Sequence, residues 1–149
     1  MKIETIVVAT DFSDNAAHVV DVAVDYAKHF EAELVLVHAY RVDIPVASPL
    51  TGGGYILPDG FYEQLAKQAT TRVGEAADRI KERGVASVGI AIDKPAASAI
   101  VEEASERNAG LIVMGTRGLT GIKHVALGSV ADRVVRTAPC PVLTVGAGD

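Results

Sequence analysis

Glycines bracket the stretch of this sequence best suited to chemistry. Gly115-Thr116-Arg117-Gly118 is followed, after Leu119 to Leu127, by Gly128-Ser129. A phosphate is held most closely by backbone N–H groups, and side chains obstruct that approach, so glycine is favoured where a chain passes such a ligand. The stretch starts where a β-branched run ends and finishes where an amphipathic one begins. Gly128 and Ser129 therefore fall at a helix N-terminus, whose free amides and partial positive charge favour an anion by about 0.3–1 kcal/mol at an exposed site. Ser129 adds a hydroxyl that can reach a phosphate oxygen or a bound metal. Taken alone, a gapped glycine pattern more often marks turns than a ligand. Arg117, Lys123 and His124 fall inside the stretch, where solvated loop charge and phosphate contact are comparable readings.

Two further segments point to the same end of the molecule. Thr10-Asp11-Phe12-Ser13 follows the first apolar run. Asp11 can accept hydrogen bonds from a ribose hydroxyl or an amine, or can simply turn the chain into a helix. His38-Ala39-Tyr40 closes the second run, and backbone groups beside Ala39 can pair with the edge of a flat heterocycle.

Other chemistries find little support. Neither Gly-Lys-Ser nor Gly-Lys-Thr occurs, and the GxGxxG fingerprint is absent, which closes the usual P-loop and dinucleotide routes. His18, His29, His38 and His124 lack metal-ligand spacing. No Gly-x-Ser-x-Gly elbow is present, and Cys140 sits between Pro139 and Pro141 at a strand entry, as a buried or half-buried thiol would. Gly52-Gly53-Gly54, flanked by Pro49 and Pro58 with no helix start close by, reads as a flexible part of the long segment from Arg41 to Gly60.

The elements that must position these residues alternate between short β-branched runs and longer amphipathic ones, the pattern of a parallel sheet with crossover helices. Strands are predicted at Ile3 to Ala9, Glu33 to Ala39, Ser87 to Ile92, Leu111 to Met114 and Val142 to Val145. Ala16, Val20, Ala23, Ala27 and Phe30 recur on one helical face, with Ser13 or Asp14 as the cap. Phe61, Leu65, Ala69, Val73, Ala76 and Ile80 make a second stripe closed by Gly84, and Ala97, Ile100, Val101 and Ala104 a third. A fourth helix from about Gly128 to Thr137 is expected to bury Val130 and Val134, with Ala131 as a further candidate, before Pro139 stops it. The order βαβαβαβαβ places the three candidate segments at the carboxyl ends of strands, where open parallel sheets bind ligands.

With 149 residues, 49% of them apolar, the chain has material for one domain with one core. Nineteen acidic residues against 14 basic give a net charge of −5, which speaks against nucleic acid as a partner. One cysteine rules out an intrachain disulfide and fits a reducing compartment. The apolar run Ile6 to Ala9 is far short of a signal segment, and no stretch approaches membrane-spanning length, so residence in the cytoplasm with no membrane partner is expected by elimination.

The opening Ile6-Val7-Val8-Ala9-Thr10-Asp11-Phe12-Ser13, the strand end Val37-His38, and the tail Gly115-x2-Gly118-x9-Gly128-Ser129 through Pro141-Val142-Leu143 together resemble the universal stress protein family, over essentially the whole chain. The resemblance implies a single α/β domain over residues 1–149, a five-stranded parallel open sheet with helices on both faces, Rossmann-like and of the adenine nucleotide alpha hydrolase-like kind. The tail looks like that of the ATP-binding members. Carried over by position, Asp11 and Ala39 would lie by the nucleoside, and Gly115, Gly118, Gly128, Ser129 and Val130 around the phosphates of ATP, accompanied by magnesium. The resemblance also implies a homodimer, for which Val142 to Val145, an apolar strand at the sheet's edge, is the expected joint. The sequence departs from the family in carrying Lys94 where a glycine often precedes the proline of Asp93-Lys94-Pro95-Ala96, and Ala9 where some members have proline or aspartate. The expected function is an ATP-dependent stress or signalling module with at most slow hydrolysis, since no general base is assignable. A nucleotide-free dimeric interaction protein is the alternative. An adenylate-transferring enzyme is disfavoured by the lack of room for a second, substrate-binding domain.

Overall fold

Valine, isoleucine and leucine fill the short runs of this chain because strands covered by helices on both faces have no solvent side to keep polar. A computed structural model describes residues 1–41, 58–117 and 127–147. Its strands are β1 (Thr5–Ala9), β2 (Glu33–Ala39), β3 (Ser87–Ile92), β4 (Leu111–Gly115) and β5 (Val142–Val145). The helices are α1 (Asp14–Phe30), α2 (Phe61–Glu82), α3 (Ala96–Glu106) and α4 (Ser129–Thr137). All strand pairs are parallel, in the order β3-β2-β1-β4-β5. The expected five-stranded α/β architecture is therefore present, with β1 beginning at Thr5 rather than Ile3.

The period-two alternation of strands divides the core in two. Ile6, Val8, Leu34, Leu36, Leu111 and Val113 face α1 and α2, meeting Val19, Ala23, Val24, Val73 and Ile80. Val7, Val35, Val37, Ile112 and Met114 face α3 and α4, meeting Ala97, Ile100, Ala104, Ala131 and Val134. The chain thus winds one way from β1 to β3 and the other way from β4 to β5, and the reversal leaves a crevice between the carboxyl ends of β1 and β4.

Three side-chain expectations need correction. The face of α1 turned to the sheet is centred on Val19 and Val24 beside Ala16, Ala23 and Ala27, while Phe30, in the last turn, remains 38% exposed. On α2 it is Ala77, next to the expected Ala76, that is buried. On α4 Ala131 and Val134 are buried as expected, but Val130 is 39% exposed, because the helix starts at Ser129 and turns its second residue toward the crevice mouth. Gly84 does follow the end of α2, at φ +87, a left-handed conformation that glycine adopts without the clash of a Cβ. Among the described residues no helix is long and apolar enough to cross a membrane. The Gly52 to Gly54 run lies outside the described residues.

Candidate functional site

A cleft of about 400 Å³ opens where the winding reverses, within the volume range of small-molecule sites. Its wall includes Asp11 from the turn after β1, Ala39 from the end of β2, Gly115 from β4, and Gly128, Ser129 and Val130 from the start of α4. These segments, scattered over the sequence, converge because parallel strands bring all their carboxyl ends to one side of the sheet. Gly118, Lys123 and His124 lie outside the described residues.

The two helix starts nearest β1 and β4 differ in a way that matters for an anion. Ser13 caps α1, its Oγ accepting from the Ala16 amide at 3.2 Å. Gly128 precedes α4 and can offer no side chain, and among the described residues no other side chain caps that helix. The first amides of α4 therefore keep their donors for a ligand. Asp132, an acid in the first turn that opposes an anion, is paired with Arg136 one turn later at 3.1 Å.

The glycines at the cleft have packing reasons as well. A Cβ on Gly115 would stand 3.2 Å from Asn15 Nδ2 and 3.4 Å from Val19 Cγ2, and one on Gly128 would stand 3.0 Å from the Thr116 carbonyl oxygen. Gly128 itself donates to that oxygen at 2.6 Å. Close approach of α1 to β4, and of α4 to the β4 exit, leaves little room for a side chain at either position, the tighter contact being the backbone one at Gly128.

At the opposite end of the cleft, the turn after β1 is tied locally. The Ser13 amide donates to Asp11 Oδ1 at 3.0 Å, so the helix-entry role of Asp11 is realised, while Asp11 still lines the cleft. Tyr40 donates its amide to Ile92 on β3 at 3.1 Å. Strand alternation then turns the backbone groups of Ala39 toward β1, whose ladder ends at the Ala9 and Val37 pair. Donor and acceptor in adjacent positions on an exposed strand end suit the edge of a heterocyclic base.

His38 stands at the strand end as expected, its Nδ1 donating to the Thr10 carbonyl at 3.1 Å. Burial pushes its pKa down, and the Arg72 guanidinium pushes the same way, against the Thr10 hydrogen bond and the Asp11 carboxylate. His18 and His29 are exposed. Among the described residues no group of acids, histidines and cysteine is placed to hold a metal. The Cys140 thiol is half-buried, and burial raises its pKa, which disfavours the thiolate. Lys94, in place of the family's glycine, does not face the cleft; its ammonium pairs with Glu102 of α3.

The family model described as the universal stress protein family matches residues 2–146. The chain belongs to the universal stress protein family. It is 36% identical over 142 residues to universal stress protein YxiE of Bacillus subtilis, covering 93% of this chain and 95% of that one. A solved universal stress protein in complex with cAMP shares the fold at a TM-score of 0.63 and 29% identity, over 99% of this chain and 100% of that one. The universal stress protein from Archaeoglobus fulgidus in complex with dAMP does so at 0.63 and 26% identity, over 97% and 98%.

Against that background the side-chain inventory of this universal stress protein's cleft is spare. Among its described wall residues Asp11 is the single acid and Arg117 the single base, and no histidine joins them. Thr10 and Thr116, which fall inside the candidate segments, also line it, as do Asn15, Ala96, Ile100, Met114 and Leu127, which the sequence did not mark as ligand-facing. Asn15 had one available signal: it lies in the first turn of a helix entered from the ligand end of the sheet.

Proposed function

We propose that this universal stress protein binds ATP with magnesium in the cleft and acts as a nucleotide-dependent stress-response or signalling module of the cytoplasm, with at most slow hydrolysis. The observation that carries the reading is the uncapped start of α4 facing the cleft that Asp11 and Ala39 close at the other end. Adenine and ribose would lie by Asp11 and Ala39, and the phosphates by Gly115, Gly118, Gly128, Ser129 and Val130. Magnesium usually keeps several waters and takes its remaining ligands from phosphates and one or two protein oxygens, so a protein-built metal cluster is not needed. Ser129 and Asp11 are the oxygens at hand. Binding is favoured over catalysis because Asp11, the lone acid among the described wall residues, already accepts a hydrogen bond from Ser13, and no histidine is among those described residues to activate water.

Magnesium ATP is expected to stabilise the folded state. At about 100 times the dissociation constant the gain is about 2.7 kcal/mol, or a melting shift of roughly 5–10 °C for a domain of this size. Scanning calorimetry reads it directly; no shift with any adenine nucleotide up to millimolar concentration would favour the nucleotide-free interaction protein instead.

The proposed module is a homodimer through Val142 to Val145. β5 pairs only with β4 and leaves its outer edge open, half-exposed along its length. Ile112 and Thr116 donate to Pro141 and Val145, so alternation directs Leu143 into the sheet as well and leaves Val142 and Thr144 to donate outward. The proline that tests the joint is therefore Thr144→Pro, which removes an outward donor. Light scattering should show the wild type as a dimer and Thr144→Pro dissociating at least tenfold more readily. A monomeric wild type would dismiss the joint.

A further inference from the structure

Phe12 holds a left-handed backbone conformation at φ 60, one that a residue with a Cβ adopts only when its surroundings impose it. Two short hydrogen bonds shape the turn it belongs to, Phe12 N–H to Thr10 Oγ1 at 3.1 Å and Ser13 N–H to Asp11 Oδ1 at 3.0 Å. The ends of the turn are held by the Thr10 N–H donated to the Val37 carbonyl at 2.9 Å and by the Ser13 carbonyl accepting from the Ala17 amide at 3.3 Å; its middle is held by the Phe12 ring. The Arg72 guanidinium of α2 lies 4.2 Å from the ring centroid, and the His38 imidazole of β2 meets the ring edge-on with centroids 4.7 Å apart. His38 in turn donates Nδ1–H to the Thr10 carbonyl, and since a carbonyl only accepts, the proton of the neutral ring sits on Nδ1. None of Phe12, His38 and Arg72 lines the cleft, whereas Thr10, Asp11 and Ser13 do.

We infer that the Arg72, Phe12 and His38 stack is a positioning device for the nucleoside end of the cleft, holding the Thr10 to Ser13 turn so that Asp11 faces the ligand. The inference rests on the nucleotide-binding reading above. Without the ring, the turn relaxes out of the left-handed conformation, and affinity falls by the fraction of molecules that keep the competent turn. The charged groups around the imidazole are Arg72 and Asp11, and a neutral ring lets the guanidinium share Phe12 without repulsion.

The test compares Phe12→Ala with Phe12→Gly. Alanine removes the ring and retains the penalty on positive φ, whereas glycine removes both. Calorimetry with adenosine and with magnesium ATP should show affinity about tenfold weaker for Phe12→Ala and largely recovered in Phe12→Gly. Arg72→Ala, an exposed change that leaves the fold intact, should cost about threefold, and Arg72→Lys, which keeps a cation over the ring, less. Hydrogen exchange of the Ser13 amide reads the turn without any ligand and should speed up in Phe12→Ala and Arg72→Ala alone. Wild-type affinity in both alanine variants would overturn the inference, as would Phe12→Gly binding more weakly than Phe12→Ala, the order expected of a ring that only fills space. A wild type that binds neither probe would overturn the nucleotide reading; Ser13 exchange then decides the stack separately, which is overturned if that exchange is unchanged in Phe12→Ala and Arg72→Ala.

Discussion

Gly128→Val is expected to weaken magnesium ATP binding at least tenfold, a loss of about 1.4 kcal/mol or more, in a protein that still folds. Gly128 has φ −69 and ψ 164, which any residue can adopt, so backbone freedom is not at issue. The constraint is distance: a Cβ there would stand 3.0 Å from the Thr116 carbonyl oxygen, and valine adds two methyl groups to it. Relief requires the start of α4 to move away from the end of β4. That stretches the 2.6 Å hydrogen bond from Gly128 to Thr116 and withdraws the free amides from the phosphate position. The rest of α4 stays anchored by Ala131 and Val134 in the core. Titration calorimetry, with circular dichroism to certify the fold, measures the effect; unchanged affinity in a folded variant would show that phosphates do not sit at this helix.

A larger effect on stability is expected at Gly89. A Cβ there would meet the Val73 carbonyl oxygen at 2.3 Å and its carbon at 2.7 Å, both backbone atoms of α2. A helix backbone cannot yield as a side-chain end can, so α2 must lift off β3. Gly89→Ala should lower stability by about 3 kcal/mol, the upper part of the range for overpacked cores, and the melting temperature by roughly 10 °C. Gly74, whose amide nitrogen is 3.2 Å from the same point, has open space around its own Cβ position. Gly74→Ala should therefore stabilise by up to about 1 kcal/mol through helix propensity. Urea denaturation of the two variants gives the comparison, and equal midpoints would contradict this account of the α2 and β3 contact.

The inner strands β1, β2 and β4 were legible because burial on both faces writes them as near-continuous apolar runs, the edge strands β3 and β5 because β-branched residues recur in them, and the bounds of β2, β3 and β5 agree with the sequence reading. Helix faces were less legible. The alanines of α1 mark its buried side, but whether Val19 or Val20 lies nearer the sheet depends on a rotation of the helix that periodicity alone leaves open. At the cleft, the sequence located Gly115 and Gly128 without their full reason. The Asn15 and Val19 contacts of one and the Thr116 contact of the other arise only when distant segments meet. The stack on Phe12 was hidden for the same cause, since His38 is 26 positions from Phe12 and Arg72 a further 34, and nothing in a phenylalanine announces a left-handed backbone.

The central claim is that an adenine nucleotide lies across the crevice, nucleoside at Asp11 and Ala39, phosphates at the start of α4. Amide resonances followed by NMR during a magnesium ATP titration test it residue by residue. The account predicts saturating shifts at Ser129, Val130 and Ala131 together with Asp11 and Ala39, and adenosine reproducing only those at Asp11 and Ala39. No saturable shift with ATP, or shifts confined to residues away from the cleft, would contradict it.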